Sequence, residues 1–133
     1  DTKLVNLLQY YYLKQNKINV GFNDRNKFTL KNDLKNLKNE KKKKSIFIAN
    51  WSLSETPINF RNKFLRYILN YQYIFIAFQE QFEGIDNKKY FNNLQKKLKK
   101  KYKMYLFKNK FYKGNIFNNH THYFLIGKRF NDN

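Results

Sequence analysis

The spacing of hydrophobic residues changes several times along the chain, and the changes predict alternating helices and strands. Residues 45–50 (SIFIAN) and 73–78 (YIFIAF) are short, continuous apolar runs rich in Ile and Phe. Such runs are typical of parallel strands that are buried on both faces. Each run ends in polar residues before a helical pattern begins. We therefore predict that both runs are strands that deliver polar side chains to the carboxyl edge of a sheet.

Helical spacing of apolar residues marks the segments between these strands. It predicts a helix over residues 1–16 and a shorter helix with Leu30, Leu34 and Leu37 on its apolar side. The Lys run at 41–44 is interpreted as a solvated loop. A third helix is expected to begin with Thr56 as its N-cap and Pro57 as its first residue. A fourth is expected to begin after an N-cap at Asp86.

Residues 17–22, 103–112 and 122–130 complete the set of predicted strands. Strands that alternate with helices predict an α/β protein with a Rossmann-like, doubly wound, mostly parallel sheet and helices on both faces. The last two strands have no helix between them, so we expect the sheet to end in an antiparallel β-hairpin. The length of 133 residues suits a single domain over 1–133.

Composition excludes several classes of protein. Hydrophobic residues make up 41% of the chain and aromatic residues 20%, which favours a folded core over disorder. Cysteine is absent, so a disulfide scaffold and a Cys-based zinc site are both excluded. No apolar run approaches the roughly 18 residues of a membrane span. We expect a cytoplasmic protein without a membrane partner.

The net charge of +19 is a possible sign of nucleic-acid binding, because clustered cations release counterions from phosphates. Nearly all of the basic residues are Lys, however, whereas nucleic-acid readers favour Arg. Lys, Asn, Ile, Phe and Tyr share A- and T-rich codons, so a biased genome explains the composition, and we do not expect a nucleic-acid partner. The alternative of a basic RNA-binding or ribosomal protein predicts aromatic side chains exposed beside Lys on one face.

Three segments carry a family resemblance: NWSLSETPINFR at 50–61, IAFQEQFEGIDNKKYF at 76–91 and HTHYFLIGKR at 120–129. They resemble the bacterial sugar O-methyltransferases, a branch of the class I S-adenosylmethionine-dependent methyltransferases. The opening segment 1–13 is also similar to that family. The resemblance implies the C-terminal part of a methyltransferase domain that acts on a sugar or similar hydroxylated acceptor. It also implies that the first strand and its glycine-rich loop lie upstream, and we expect the isolated chain to be inactive and poorly stable.

The resemblance also implies a set of residues that bind S-adenosylmethionine. Asp1 would accept hydrogen bonds from the ribose diol, unless it is a solvent-exposed terminal residue. Asn23 and Asp24 would lie near the adenine, with an Asx turn as the alternative. Asn50 would bind the methionine end of the cofactor or the acceptor. Trp51 would stack on the flat face of a sugar or of the adenine, or it would be a wedge in the core.

Candidate catalytic residues follow the same two strands and the final loop. Glu55 would orient an acceptor hydroxyl or act as general base, although Ser52 and Glu55 also match a capping box. Gln79 would donate a hydrogen bond to a substrate oxygen. His120 would be a general base, or a loop residue that caps the hairpin. His120 and His122 lack a third metal ligand nearby, so we expect no metal.

Overall fold

The structure is a computed structural model in which the chain forms two compact units, Asp1–Lys38 and Asn39–Asn133. It describes residues 2–22, 28–29, 42–110 and 121–130. Each unit is described separately below.

The first unit contains helix α1 (Thr2–Gln15) and the short parallel strands β1 (Val20–Gly21) and β2 (Phe28–Thr29). The helix predicted over 1–16 is confirmed, whereas the strand predicted over 17–22 is much shorter. The helix predicted at 30–37 lies outside the described residues. Large apolar side chains of α1 are exposed, among them Leu4, Leu7, Leu8, Tyr11 and Tyr12.

The second unit is an α/β fold built on a mixed sheet of four strands. Along the sheet the order is β3-β4-β8-β7, so the last strand in the chain lies between two earlier ones. Strands β3 and β4 are parallel, and β8 is antiparallel to both of its neighbours. The predicted antiparallel pairing of the last two strands is therefore confirmed. The strands are β3 (Lys42–Asn50), β4 (Tyr71–Gln79), β7 (Tyr102–Lys108) and β8 (His122–Arg129).

Two helices connect these strands: α2 (Ile58–Ile68) follows β3, and α3 (Asn87–Leu98) follows β4. A small hairpin of β5 (Gln81–Phe82) and β6 (Ile85–Asp86) lies between β4 and α3. The N-cap predicted at Asp86 is confirmed, because its Oδ1 accepts a 2.8 Å hydrogen bond from the Lys89 amide. The N-cap predicted at Thr56 is wrong. Its hydroxyl donates to the Leu53 carbonyl at 2.8 Å, and Pro57 precedes the helix instead.

Both helices pack on the same face of the sheet and form the core with it. In β4 the buried side chains Ile74, Ile76 and Phe78 alternate along the strand and face the helices. Phe78 packs against Phe91 of α3, with ring centroids 4.2 Å apart and the rings tilted by 31°. The same cluster includes Ala49, Leu53, Ile68, Leu94, Leu98, Tyr102, Met104, Tyr123 and Leu125.

The opposite face of the sheet exposes apolar side chains. Ile48 is 61% exposed, and Ile46 is exposed beside it, so the prediction that 45–50 is buried on both faces is wrong. The physical reason is that α2 and α3 cover only one face. The loop predicted at the Lys run is also wrong, because Lys42 already belongs to β3. A doubly wound arrangement is not confirmed within the described residues. Other exposed side chains on this face are Tyr73, Tyr105, Phe107 and Ile126.

Candidate functional site

The candidate site lies at the edge of the sheet where the parallel strands β3 and β4 end. Asn50, the last residue of β3, is in register with Ala77 near the end of β4. Gln79, the last residue of β4, is in register with His122, the first residue of β8. The edge predicted from the two apolar runs therefore collects polar side chains from three neighbouring strands.

Trp51 adopts a strained backbone conformation immediately after β3. Its φ angle of +61° lies in the left-handed region, which costs a residue with a Cβ about 1–2 kcal/mol. The Trp51 amide donates to the Ala77 carbonyl at 2.9 Å, and the Trp51 carbonyl accepts from the Ser54 amide at 2.8 Å. The indole is 38% exposed, and its ring centroid lies 5.2 Å from that of His122. Strain that persists beside an exposed aromatic ring is typical of a functional site.

Glu55 and Gln79 meet across this edge. The Gln79 side-chain amide donates to Glu55 Oε1 at 3.4 Å, a long hydrogen bond at an exposed position. The Glu55 amide donates to the Trp51 carbonyl at 3.2 Å, so the turn that positions Trp51 also positions Glu55. Asn50 is exposed, and its carbonyl accepts from the Ser52 amide at 2.7 Å. The structure thus brings Asn50, Trp51, Glu55 and Gln79 together.

A second carboxylate, Glu80, is already engaged with other side chains. The Tyr123 hydroxyl donates to Glu80 Oε1 at 3.3 Å, and the Lys88 ammonium contacts the same oxygen at 3.3 Å. The pKa of Lys88 is raised, first by a hydrogen bond with Tyr123 and then by the one with Glu80. Sequence reasoning missed this cluster, because spacing alone does not pair residues 80 and 123.

A buried arginine underlies the turn that carries Trp51 and Glu55. Arg61, in the first turns of α2, has 0% exposure. Its Nε donates to the Thr56 carbonyl at 2.7 Å, and its Nη2 donates to the Ser54 carbonyl at 2.6 Å. Its Nη1 donates to Asn87 Oδ1 at 2.7 Å. Desolvation lowers the pKa of Arg61.

The remaining predicted site residues cannot be compared with this geometry. Asp1, Asn23, Asp24 and His120 lie outside the described residues. The histidine that the structure does place at the site is His122, which is buried against Trp51. Sequence reasoning could not place His122 here, because its position at this edge depends on the pairing of β8 with β4.

The described residues contain neither a metal-binding cluster nor a membrane-spanning helix. Within residues 2–22, 28–29, 42–110 and 121–130, no three His, Cys, Asp or Glu side chains are grouped so that they could hold a metal ion. No helix in these same ranges has the length and apolar character needed to cross a membrane.

A scan against protein-family models, a search of curated proteins and a search of solved structures each returned no match.

Proposed function

We propose that this chain is part of an S-adenosylmethionine-dependent O-methyltransferase that acts on a sugar or a similar hydroxylated acceptor. The observation that carries the proposal is the convergence of Trp51, Glu55 and Gln79 at the carboxyl edge of two parallel strands. Open α/β sheets bind their ligands at this edge. The resemblance of residues 50–61 and 76–91 to the sugar O-methyltransferases supports the choice of reaction.

We further propose that the four-stranded sheet belongs to a Rossmann-like, doubly wound fold. Two features support this. The sheet ends in the antiparallel pair β8 and β7, and a terminal antiparallel β-hairpin is what was expected of such a fold. The exposed face of the sheet carries several large apolar side chains, and a sheet with apolar side chains on both faces is stable when both are covered.

The residues that the resemblance implies for cofactor binding are Asp1, Asn23, Asp24, Asn50 and Trp51. Of these, Asn50 and Trp51 lie within the described residues, and their chemistry fits. An exposed amide stands next to a partly exposed indole at the end of β3, which suits a polar group and a flat ring. When bound, S-adenosylmethionine supplies a methyl group that is already activated for transfer.

The protein's task is then to orient the acceptor and to remove its proton. Gln79 and Glu55 share a hydrogen bond, so together they present a donor and an acceptor to a hydroxyl group. The Glu55 carboxylate would accept the proton of the acceptor hydroxyl, and the bound cofactor would supply the methyl group, with its sulfur as the leaving group. Glu80 is less suited to this role, since Tyr123 and Lys88 already occupy its Oε1. His120 remains the alternative base.

The test is a methyl-transfer assay of the full-length protein that contains this chain, with tritiated S-adenosylmethionine and a panel of monosaccharides and nucleotide sugars. We expect Glu55→Gln to lower the transfer rate about 10²-fold or more while cofactor binding, measured by calorimetry, is retained. Glu83→Gln is the matched control, because Glu83 lies in the turn of the small β5–β6 hairpin. If the full-length wild-type protein does not bind S-adenosylmethionine, the proposal is wrong.

A second candidate function, RNA binding, is favoured by one observation. On the open face of the sheet, Tyr105 and Phe107 stack with centroids 6.0 Å apart, and the Lys103 ammonium lies 5.7 Å from the Tyr105 ring centroid. Lys128 is in register with Lys103 and so shares its face. Exposed aromatic rings beside Lys are the arrangement that single-stranded RNA requires.

Fluorescence anisotropy with a labelled single-stranded RNA at two salt concentrations tests this candidate. RNA binding through this face predicts tight binding with a steep salt dependence, and a clear loss of affinity in Tyr105→Ala. RNA affinity would also be measured for Tyr73→Ala, which removes an exposed aromatic ring from the same face of the sheet. Weak binding that is equal in wild type and both variants would eliminate the candidate.

A further inference from the structure

We infer that Arg61 is a positioning residue, which holds the turn at 51–56 in the conformation that presents Trp51 and Glu55. The guanidinium reaches this turn twice, through the Ser54 and Thr56 carbonyls at 2.6 and 2.7 Å. These two carbonyls lie on either side of Glu55 in the chain. The backbone that carries the Glu55 carboxylate is therefore fixed from both sides by one side chain.

The same guanidinium also joins this turn to the next loop of the site. Its Nη1 donates to Asn87, the first residue of α3, which is itself fully buried. Helix α3 begins shortly after β4, the strand that delivers Gln79 and Glu80. Arg61 thus links the segment after β3 to the segment after β4. A guanidinium, with several N–H donors in one plane, can donate to three separate acceptors at once.

A role in the stability of the core alone does not explain this arrangement. Burial of a cation is costly, and well-packed apolar residues often serve stability as well or better. The acceptors of Arg61 are neutral oxygens, and its charge is further stabilised by the Tyr90 ring, whose centroid is 5.1 Å away. The cost of burying Arg61 is explained if the turn at 51–56 must keep the conformation that presents Trp51 and Glu55. This inference deepens the proposed function, and its catalytic meaning rests on that function.

The chain contains a single tryptophan, so intrinsic fluorescence reports on this turn. We would compare Arg61→Gln with Arg66→Gln, a control on the same helix whose guanidinium is exposed and donates to the Tyr67 hydroxyl. The measurements are acrylamide quenching of Trp51 and far-UV circular dichroism. We expect Arg61→Gln to raise the quenching constant about twofold, since the indole is 38% exposed in the intact turn. The circular dichroism spectrum should stay native.

The same substitutions would then be made in the full-length protein and assayed for methyl transfer. We expect kcat to fall about 10²-fold in Arg61→Gln, with little change in the KM for the cofactor, because misplacement of a reacting group by about 1 Å costs that much. Arg61→Lys keeps the charge without the fork and should not restore kcat. If Arg61→Gln does not fold, Asn87→Ala retains the arginine and removes one acceptor, and it should raise quenching in the same direction.

The outcomes separate this inference from the proposed function. The fluorescence measurement needs no cofactor, so it decides whether Arg61 holds the turn even if the protein proves not to be a methyltransferase. Quenching in Arg61→Gln equal to that in Arg66→Gln would overturn the inference. A changed turn with unchanged kcat, or full rescue by Arg61→Lys, would overturn its catalytic part.

Discussion

Replacement of Trp51 by alanine and, separately, by glycine distinguishes the strain of its backbone from the contacts of its indole. Both substitutions remove the ring, including its contact with His122. They differ in whether a Cβ remains at a φ angle of +61°. The difference in stability between the two variants therefore isolates the backbone contribution.

The expected magnitude follows from two opposing effects. A residue with a Cβ in the left-handed region pays about 1–2 kcal/mol, and glycine does not. Glycine in turn loses about 0.5–1 kcal/mol relative to alanine, because its unfolded state is more flexible. The net expectation is that Trp51→Gly is about 1 kcal/mol more stable than Trp51→Ala. At an ordinary position the order is the reverse.

Urea unfolding followed by far-UV circular dichroism measures this difference, since both variants lack the fluorophore. The control is the pair Ser52→Ala and Ser52→Gly. Ser52 is exposed and is not among the positive-φ residues of the described chain. There alanine should be the more stable variant by about 0.5–1 kcal/mol. If alanine is also more stable at position 51, the argument that the site stores strain at Trp51 fails.

Three further predictions concern the second unit. Asp86→Ala should cost about 1 kcal/mol in urea unfolding, because it removes the N-cap of α3, and a cost near zero would contradict that role. Burial raises the pKa of Tyr102 above its ordinary 10.0, so the stability that its neutral phenol contributes is present below pH 10.0 and is lost as pH rises through the raised value. At pH 7 the free energy of unfolding of Tyr102→Phe should therefore be about 1 kcal/mol lower than that of wild type. As the pH becomes alkaline, the variant should lose less of its stability than wild type does. Parallel plots of stability against pH for the two proteins would refute this. Gly127→Ala should cost about 1 kcal/mol or less, because the new Cβ would lie 2.5 Å from Met104 Sδ, which is near the flexible end of its side chain and can move aside. A loss well above this value in urea unfolding would contradict the reasoning.

The sequence predicted those elements whose signal is local. The strands at 45–50 and 73–78 are continuous apolar runs, and the structure extends each of them slightly. Asp86 was recognisable as an N-cap because its carboxylate acts on an amide only three residues away. The antiparallel pairing of β7 and β8 followed from the lack of a helix between them.

Features that depend on distant partners could not be predicted in this way. The spacing of apolar residues does not say which strands are neighbours, so the place of β8 between β4 and β7 was not foreseen. In the sequence, Arg61 cannot be distinguished from an arginine on the solvated face of a helix. It is buried because the turn folds over it. Thr56 was predicted as an N-cap from its position in the sequence, but its hydroxyl instead donates to the nearby Leu53 carbonyl. At the site, Trp51, Glu55 and Gln79 were named from their strand ends, whereas His122 required knowledge of the pairing with β4.

The position of β8 also has a consequence for the order in which the chain can fold. As the protein is synthesised, β3, α2, β4, α3 and β7 all emerge before β8 does. Until β8 arrives, β7 has no neighbour in the four-stranded sheet, and Phe75 of β4 lacks its later partner Ile126. Pairings between residues so far apart in sequence form slowly, and exposed strand edges invite aggregation in the meantime. Folding of this sheet is therefore expected to be completed only after release of the β8 segment from the ribosome.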